Sequence, residues 1–307
     1  MDTPLQPFDR RALRRQRERA ARHWGAADFL VREVAERLAD RLDDVKRRFP
    51  LALDLGCRDG VLARALGGRG GVETLVQMDA ALGFARRAPG IALVGEAEAL
   101  PFKAESFDLI LSALDLHAVN DLPGALLQLR AALKPDGLLL AALFAGETLR
   151  ELRRAWLEAE LAEEGGAGIR VAPFADPRDL GALLQRAGFA LPVIDSDAIA
   201  VTYPDALKLM RELRAMGEAN AASGRRRGFT RRTTLARAVA EYARLFGQTD
   251  GRVPARFEIV TLTAWAPHAS QQKPLRPGEA KIRLADALGT VEHSAGDKAA
   301  PGPDKRG

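Results

Sequence analysis

Leu51-Ala-Leu-Asp-Leu-Gly-Cys-Arg-Asp-Gly60 runs from an apolar stretch into a glycine turn, and Val61-Leu-Ala-Arg-Ala-Leu66 continues it with a helical pattern. The spacing predicts a strand, a tight turn and a helix. Gly56 and Gly60 lack a Cβ, so the backbone there can take left-handed angles and a ligand can approach the helix N-terminus closely. Asp54, at the carboxyl end of the strand, is placed to receive a cation. A glycine-rich strand-turn-helix is shared by several nucleotide-binding folds, so the residues downstream decide between them.

The surrounding chain is long enough to bury a full core, at 307 residues with 47% hydrophobic and 28% charged residues. No apolar run approaches the roughly 18 residues of a membrane span. The single cysteine, Cys57, excludes an intrachain disulfide and fits a reducing, cytoplasmic setting. It reads as a small residue in the tight corner of the turn rather than a nucleophile. The net charge of +5 is concentrated at residues 10–22 and 225–232, which could serve as local docking patches. The first cluster has no interleaved aromatic residues for stacking bases, so it reads as a solvated helix face and no nucleic acid is expected.

Residues 10–24 and 27–48 predict two helices, the second stopped by Pro50. After the Leu51–Leu55 strand comes a second strand, Glu73–Asp79, ending in an acid about 20 residues past the glycine turn. An acid there can hold both ribose hydroxyls of a nucleoside or simply cap the next helix. A third strand over 91–94 leads into Gly95-Glu-Ala-Glu-Ala-Leu-Pro-Phe102. The fourth, Phe107–Leu114, ends in a loop carrying His117, the best placed of the four histidines. His117 can act as a base or hydrogen-bond a loop carbonyl. A helix over 122–133, the Lys134-Pro-Asp-Gly137 turn and an apolar strand over 138–144 complete five strands of a doubly wound parallel sheet. Helices over 147–164 and 176–187, a bent strand or strand pair over 189–201, and two helices between 204 and 246 precede the alternating Phe257–Trp265 strand.

Asp54-x-Gly56-x-x-x-Gly60, the Leu-Pro-Phe102 segment and Lys134-Pro-Asp-Gly137 together resemble class I S-adenosylmethionine (SAM) dependent methyltransferases. The resemblance implies a Rossmann-like α/β fold of that type, its last strand antiparallel, with a helical cap inserted before it. It also implies SAM as cofactor, held by Asp54, Gly56, Cys57, Gly60, Asp79, Ala80, Glu96, Ala97 and Ser112. Asp79 would take the ribose and Glu96 the adenine amino group. No dedicated metal is implied. The expected organisation is N-terminal helices over 1–48, a SAM-binding core over 49–202, a cap over 203–250, the last core strand over 251–267 and a flexible tail over 268–307, in which Ile282 to Leu288 could order on a partner.

Leu116-His-Ala-Val-Asn-Asp-Leu-Pro123, Phe144-Ala-Gly-Glu-Thr-Leu-Arg-Glu-Leu152, Tyr203-Pro204 and Met216-Gly-Glu-Ala-Asn220 narrow the resemblance to the arginine-hydroxylase assembly-factor family of respiratory complex I and its bacterial relatives. That resemblance spans Phe8 to Trp265, so the basic N-terminus reads as part of the folded protein. It implies a protein substrate, a complex I subunit, and places Tyr203, Glu218 and Asn220 toward it. Methyl transfer is the simplest chemistry for such a site, with His117 as the catalytic candidate. Hydroxylation of a subunit arginine, O-methylation of a carrier-bound acyl carboxylate, and a non-catalytic assembly chaperone are the alternatives. The chain departs from the family pattern at Arg58, Asp59, Glu96, Ala118 and Ala219. Arg58 is the sharpest departure: its bulk narrows the methionine pocket unless the side chain points to solvent.

Overall fold

A computed structural model describes residues 6–271 together with 286, 289 and 290. Most of the expected tail, including the segment from 282 to 288, lies outside the described residues. Chain order is α1 (Arg10–Ala21), α2 (Phe29–Asp40), β1 (Leu51–Leu55), α3 (Val61–Leu66), β2 (Thr74–Asp79), α4 (Leu82–Ala85), β3 (Ile91–Val94), β4 (Phe107–Ala113), α5 (Leu122–Ala132) and β5 (Leu133–Phe144). It continues with α6 (Arg150–Glu164), α7 (Pro177–Arg186), β6 (Ala190–Tyr203), α8 (Ala206–Ala215), α9 (Arg232–Phe246) and β7 (Val253–Trp265).

The strands form one seven-stranded sheet in the order β3-β2-β1-β4-β5-β7-β6. β1, β2, β3, β4 and β5 pair in parallel, and β7 lies antiparallel between β5 and β6. The sheet is covered on both faces, which is why its central strands are continuously apolar. Ala52, Leu109, Leu111, Leu138 and Leu140 face a core shared with α2, α3, α6, α8 and α9. The alternating Leu53, Leu55, Ile110, Leu139 and Ala141 face a second core shared with α5 and α7. α8 and α9 sit between β6 and β7 in sequence, where a cap was expected.

Two local expectations change and one pair of alternatives is resolved. α2 ends at Asp40 rather than running to 48, because turns that begin with the Leu42 and Asp43 amides on the Ala39 and Asp40 carbonyls replace its last predicted turns. Of the two readings of 189–201 the long bent strand is the one present, since antiparallel pairing with β7 runs from Ala190 to Tyr203 with a register shift between Ala190 and Val193. In the Lys134-Pro-Asp-Gly137 segment it is Asp136 that takes the left-handed angle, at φ +61°. Gly137 serves close approach instead: a Cβ there would stand 2.9 Å from the Lys134 carbonyl oxygen.

Candidate cofactor and substrate site

The site forms at the carboxyl ends of β1, β2 and β4, where ligands of open α/β sheets sit. Gly56 and Gly60 take φ of +77° and +83°, and both positions are crowded. A Cβ on Gly56 would lie 2.4 Å from the Asp115 Cβ, and one on Gly60 would lie 2.3 Å from the Pro89 ring. The turn is pinned to β2, since the Gly56 and Cys57 amides both donate to the Met78 carbonyl, at 2.8 and 3.1 Å. Cys57 is buried. Burial, with Asp54 and Asp79 nearby, pushes its thiol up and keeps it from acting as a nucleophile.

Arg58 resolves its two sequence alternatives in favour of the interior. Its backbone is left-handed at φ +52°, and its side chain is completely buried near the Trp24 and Phe84 rings, at 5.8 and 5.6 Å. Nη2 donates to the Leu114 carbonyl at 3.1 Å and to Glu218 at 3.0 Å, and the backbone amide donates to Asp79 at 3.1 Å. The other Asp79 oxygen accepts from the Ala81 amide at 2.8 Å, not from Ala80.

Two guanidinium groups, Arg17 and Arg58, thus stand among four buried or nearly buried carboxyl groups, Asp54, Asp79, Asp115 and Glu218. Burial raises Asp115, but Arg17, Arg58 and Arg10 outweigh it and hold the group at about 2. Burial likewise opposes ionisation of Glu218, yet His117 and Arg58 bring it down to about 2. For Asp54 the help from Arg58 is outweighed. Burial and the neighbouring Asp79 and Asp115 raise it well above its ordinary value, and neither of its oxygens has a hydrogen-bond partner.

The N-terminal helix was assigned a solvated basic face, and it carries working residues on its other face. Arg17 ion-pairs with Asp115, and Arg10 ion-pairs with Glu96 while donating to the Ala118 carbonyl at 2.7 Å. The signal was in the sequence: Leu13, Arg17 and Ala20 recur at helical spacing, which puts Arg17 on the buried face. Glu98 holds the loop after β4 through the Asn120 and Asp121 amides. Ala97 is buried. The Ser112 hydroxyl donates to the Leu55 carbonyl at 3.0 Å, tying β4 to β1.

A cavity of about 350 Å³ adjoins this cluster, lined by Phe144, Trp156, Phe174 and Phe257 together with His117 and Glu218. Asn220 also lines it, with its side-chain amide donating to the Ile169 carbonyl at 2.7 Å. Tyr203 sits in the core beside α8 and α9 rather than in the cavity wall. His117 Nε2 lies 3.0 Å from Glu218. Glu218 is ionised, so Nε2 is the donor toward it, and in a neutral ring Nδ1, which has no partner, is the accepting nitrogen. Glu218 therefore belongs to both places: one oxygen holds the glycine turn through Arg58, the other holds His117 in the cavity wall.

SAM fits the residues present. Its amino group would find the unsatisfied Asp54 carboxylate, its ribose Asp79, and its adenine Glu96. Both Asp79 oxygens already accept a backbone amide, from Arg58 and from Ala81, and Glu96 is paired with Arg10, so each would share its oxygens with the ligand. Among the described residues no group of three or more His, Cys, Asp or Glu is arranged as a metal site, and no helix is long and apolar enough to cross a membrane.

Comparison with known proteins agrees with this fold. Residues 13–192 match a family model described as a methyltransferase domain. The chain is 43% identical to a zebrafish protein named arginine-hydroxylase NDUFAF5, mitochondrial, over 91% of this chain and 88% of that one. It is 41% identical to the human protein of that name, over 94% and 85% of the two chains. It is also 37% identical to a malonyl-[acyl-carrier protein] O-methyltransferase of Halorhodospira halophila, over 90% and 95%. In fold it is similar to the solved YcgJ protein of a Bacillus, with a TM-score of 0.52 at 15% identity, covering 76% of this chain and 98% of that one. The chain belongs to the methyltransferase-domain family, has its Rossmann-like class I fold, and takes S-adenosylmethionine as cofactor.

Proposed function

We propose that the protein is a SAM-dependent enzyme that modifies a side chain of a protein substrate, by methyl transfer, in the assembly of respiratory complex I. The observation that carries this reading is Glu218, shared between the cofactor turn and a cavity large enough for one side chain. The relatives named arginine-hydroxylase NDUFAF5 support the assembly role. When bound, SAM supplies an electrophilic methyl group whose bond to sulfur breaks as the bond to the nucleophile forms. The chain's own part is positional. The aromatic wall excludes water, Glu218 fixes the His117 ring, and His117 Nδ1 accepts the proton that the nucleophile loses. A reducing compartment suits the buried Cys57 thiol.

Arginine hydroxylation is the second reading. The names of the relatives at 41 and 43% identity favour it, as does an ionised carboxylate beside the Phe144 and Phe174 rings, chemistry that suits a guanidinium. Hydroxylation adds one oxygen atom and draws on an oxidant from outside the chain. Intact-mass analysis of a purified complex I subunit treated with enzyme and SAM, in air and with a reductant present, separates the readings. A gain of about 14 Da supports methyl transfer, and about 16 Da replaces it with hydroxylation. No gain with retained binding makes the protein a chaperone. A gain on malonyl-loaded carrier protein alone assigns it to carboxyl O-methylation.

A further inference from the structure

We propose that Arg58 is a cofactor-binding residue: one of its unpartnered donors, Nε or Nη1, takes the carboxylate of the cofactor's amino-acid end while Asp54 takes the ammonium. The proposal rests on the SAM assignment and deepens it. Asp54 and Arg58 are both wholly buried. Both oxygens of Asp54 and the Nε and Nη1 of Arg58 have no hydrogen-bond partner. Such atoms are costly in a protein interior and mark a place where a ligand completes the bonding.

The two groups do not satisfy each other. The carboxylates within 4.0 Å of Arg58 are Asp79, Asp115 and Glu218, and Asp54 is not one of them. What would satisfy both is a ligand bearing an ammonium and a carboxylate a few ångströms apart, which describes the amino-acid end of SAM. In glycine turns the amides commonly cradle an anion. Here four of the five turn amides are already engaged: the Gly56 and Cys57 amides donate to Met78, the Arg58 amide to Asp79, and the Gly60 amide to Cys57. The buried guanidinium adds a charged donor, whose hydrogen bond to a carboxylate is stronger than a neutral one. That function also accounts for an arginine held at φ +52°, where a side chain is strained and glycine is not.

The test uses the full chain and two probes, S-adenosylhomocysteine and 5′-methylthioadenosine, which lacks the amino-acid end. By calorimetry, Arg58→Leu is expected to lose roughly tenfold or more in affinity for S-adenosylhomocysteine, the weight of a charge-assisted pair, with methylthioadenosine binding unchanged. Equal loss for both probes, or loss for neither, overturns the proposal. So does a selective loss that follows Arg17→Leu and not Arg58→Leu, since Arg17 also has buried nitrogens without partners. If Arg58→Leu does not fold, Arg58→Lys decides: an ammonium in place of the Nε and Nη1 donors should narrow the preference for S-adenosylhomocysteine, and an unchanged preference overturns the proposal. A wild-type chain that binds neither probe fails the cofactor assignment itself, a result distinct from these.

Discussion

The cofactor side and the substrate side of this molecule meet at Glu218 and are built on opposite plans. On the cofactor side, Asp54, Arg17 and Arg58 are buried with polar atoms that lack partners. On the substrate side the charged groups are mostly matched. Arg170 binds Glu160 and lies 4.5 Å over the Trp156 ring, Arg225 binds Asp9, and most of the rest of the wall is aliphatic or aromatic, with His117 Nδ1 an unpartnered exception. With the ligands assigned as proposed, the cofactor side would select by charges that the ligand completes, and the cavity chiefly by shape and apolar contact.

Cutting the shared residue should disturb both sides most. Glu218→Ala leaves Arg58 buried without its closest carboxylate and releases His117. A loss of about 3–5 kcal/mol in stability is expected, the usual cost of removing one partner of a buried pair, read by denaturant unfolding. The same carboxylate sets an acid limit. Its folded pKa of about 2 lies below the ordinary 4.5, so its contribution is present above 4.5 and is lost as pH falls toward 2. Wild type should therefore lose its stability advantage over Glu218→Gln across that window.

A smaller and two-signed effect is expected on the cofactor side alone. Asp54→Asn should weaken SAM binding by about 1.5–3 kcal/mol, the range for hydrogen bonds to charged groups. The same substitution should raise the thermal midpoint without cofactor. The sign follows from the direction of the shift. Asp54 is raised when folded, so the protonated form's contribution is full below the ordinary 3.8 and is lost as pH rises through the folded value. The advantage of Asp54→Asn should then grow with pH. A drop in both affinity and midpoint would mean that Asp54 is structural and that the two sides are less different than described.

The smallest effect belongs to the substrate side. Phe174→Ala removes one ring of the His117–Phe144–Phe174 cluster, whose centroids lie 4.6 to 6.0 Å apart. It should raise KM for the protein substrate by about 0.5–1.5 kcal/mol, with kcat and SAM affinity unchanged. Equal losses in SAM affinity would break the separation.

What the sequence made legible was local. The glycine turn, the acid ending β2 and the strand order of the parallel half follow from period-two and helical patterns within short windows, and all are present. Glu218 was picked from the cap motif and does line the cavity. The partnerships that define the site were not legible, because Arg58 with Glu218, Arg17 with Asp115 and Arg10 with Glu96 join positions 86 to 160 residues apart. Nothing near Arg58 states that its side chain turns inward. That depends on Trp24, Phe84 and a cap residue arriving from elsewhere. Ser112, named for the cofactor by resemblance, also gains a partner from far along the chain: its hydroxyl donates to the Leu55 carbonyl.

The arginines of α1 have a kinetic consequence. Arg10 and Arg17 tie the helix across Glu96 and Asp115, so moving this helix away from the loops after β3 and β4 requires both ion pairs to open. Raising ionic strength, which weakens the part-exposed Arg10 pair more than the buried Arg17 pair, would speed that opening.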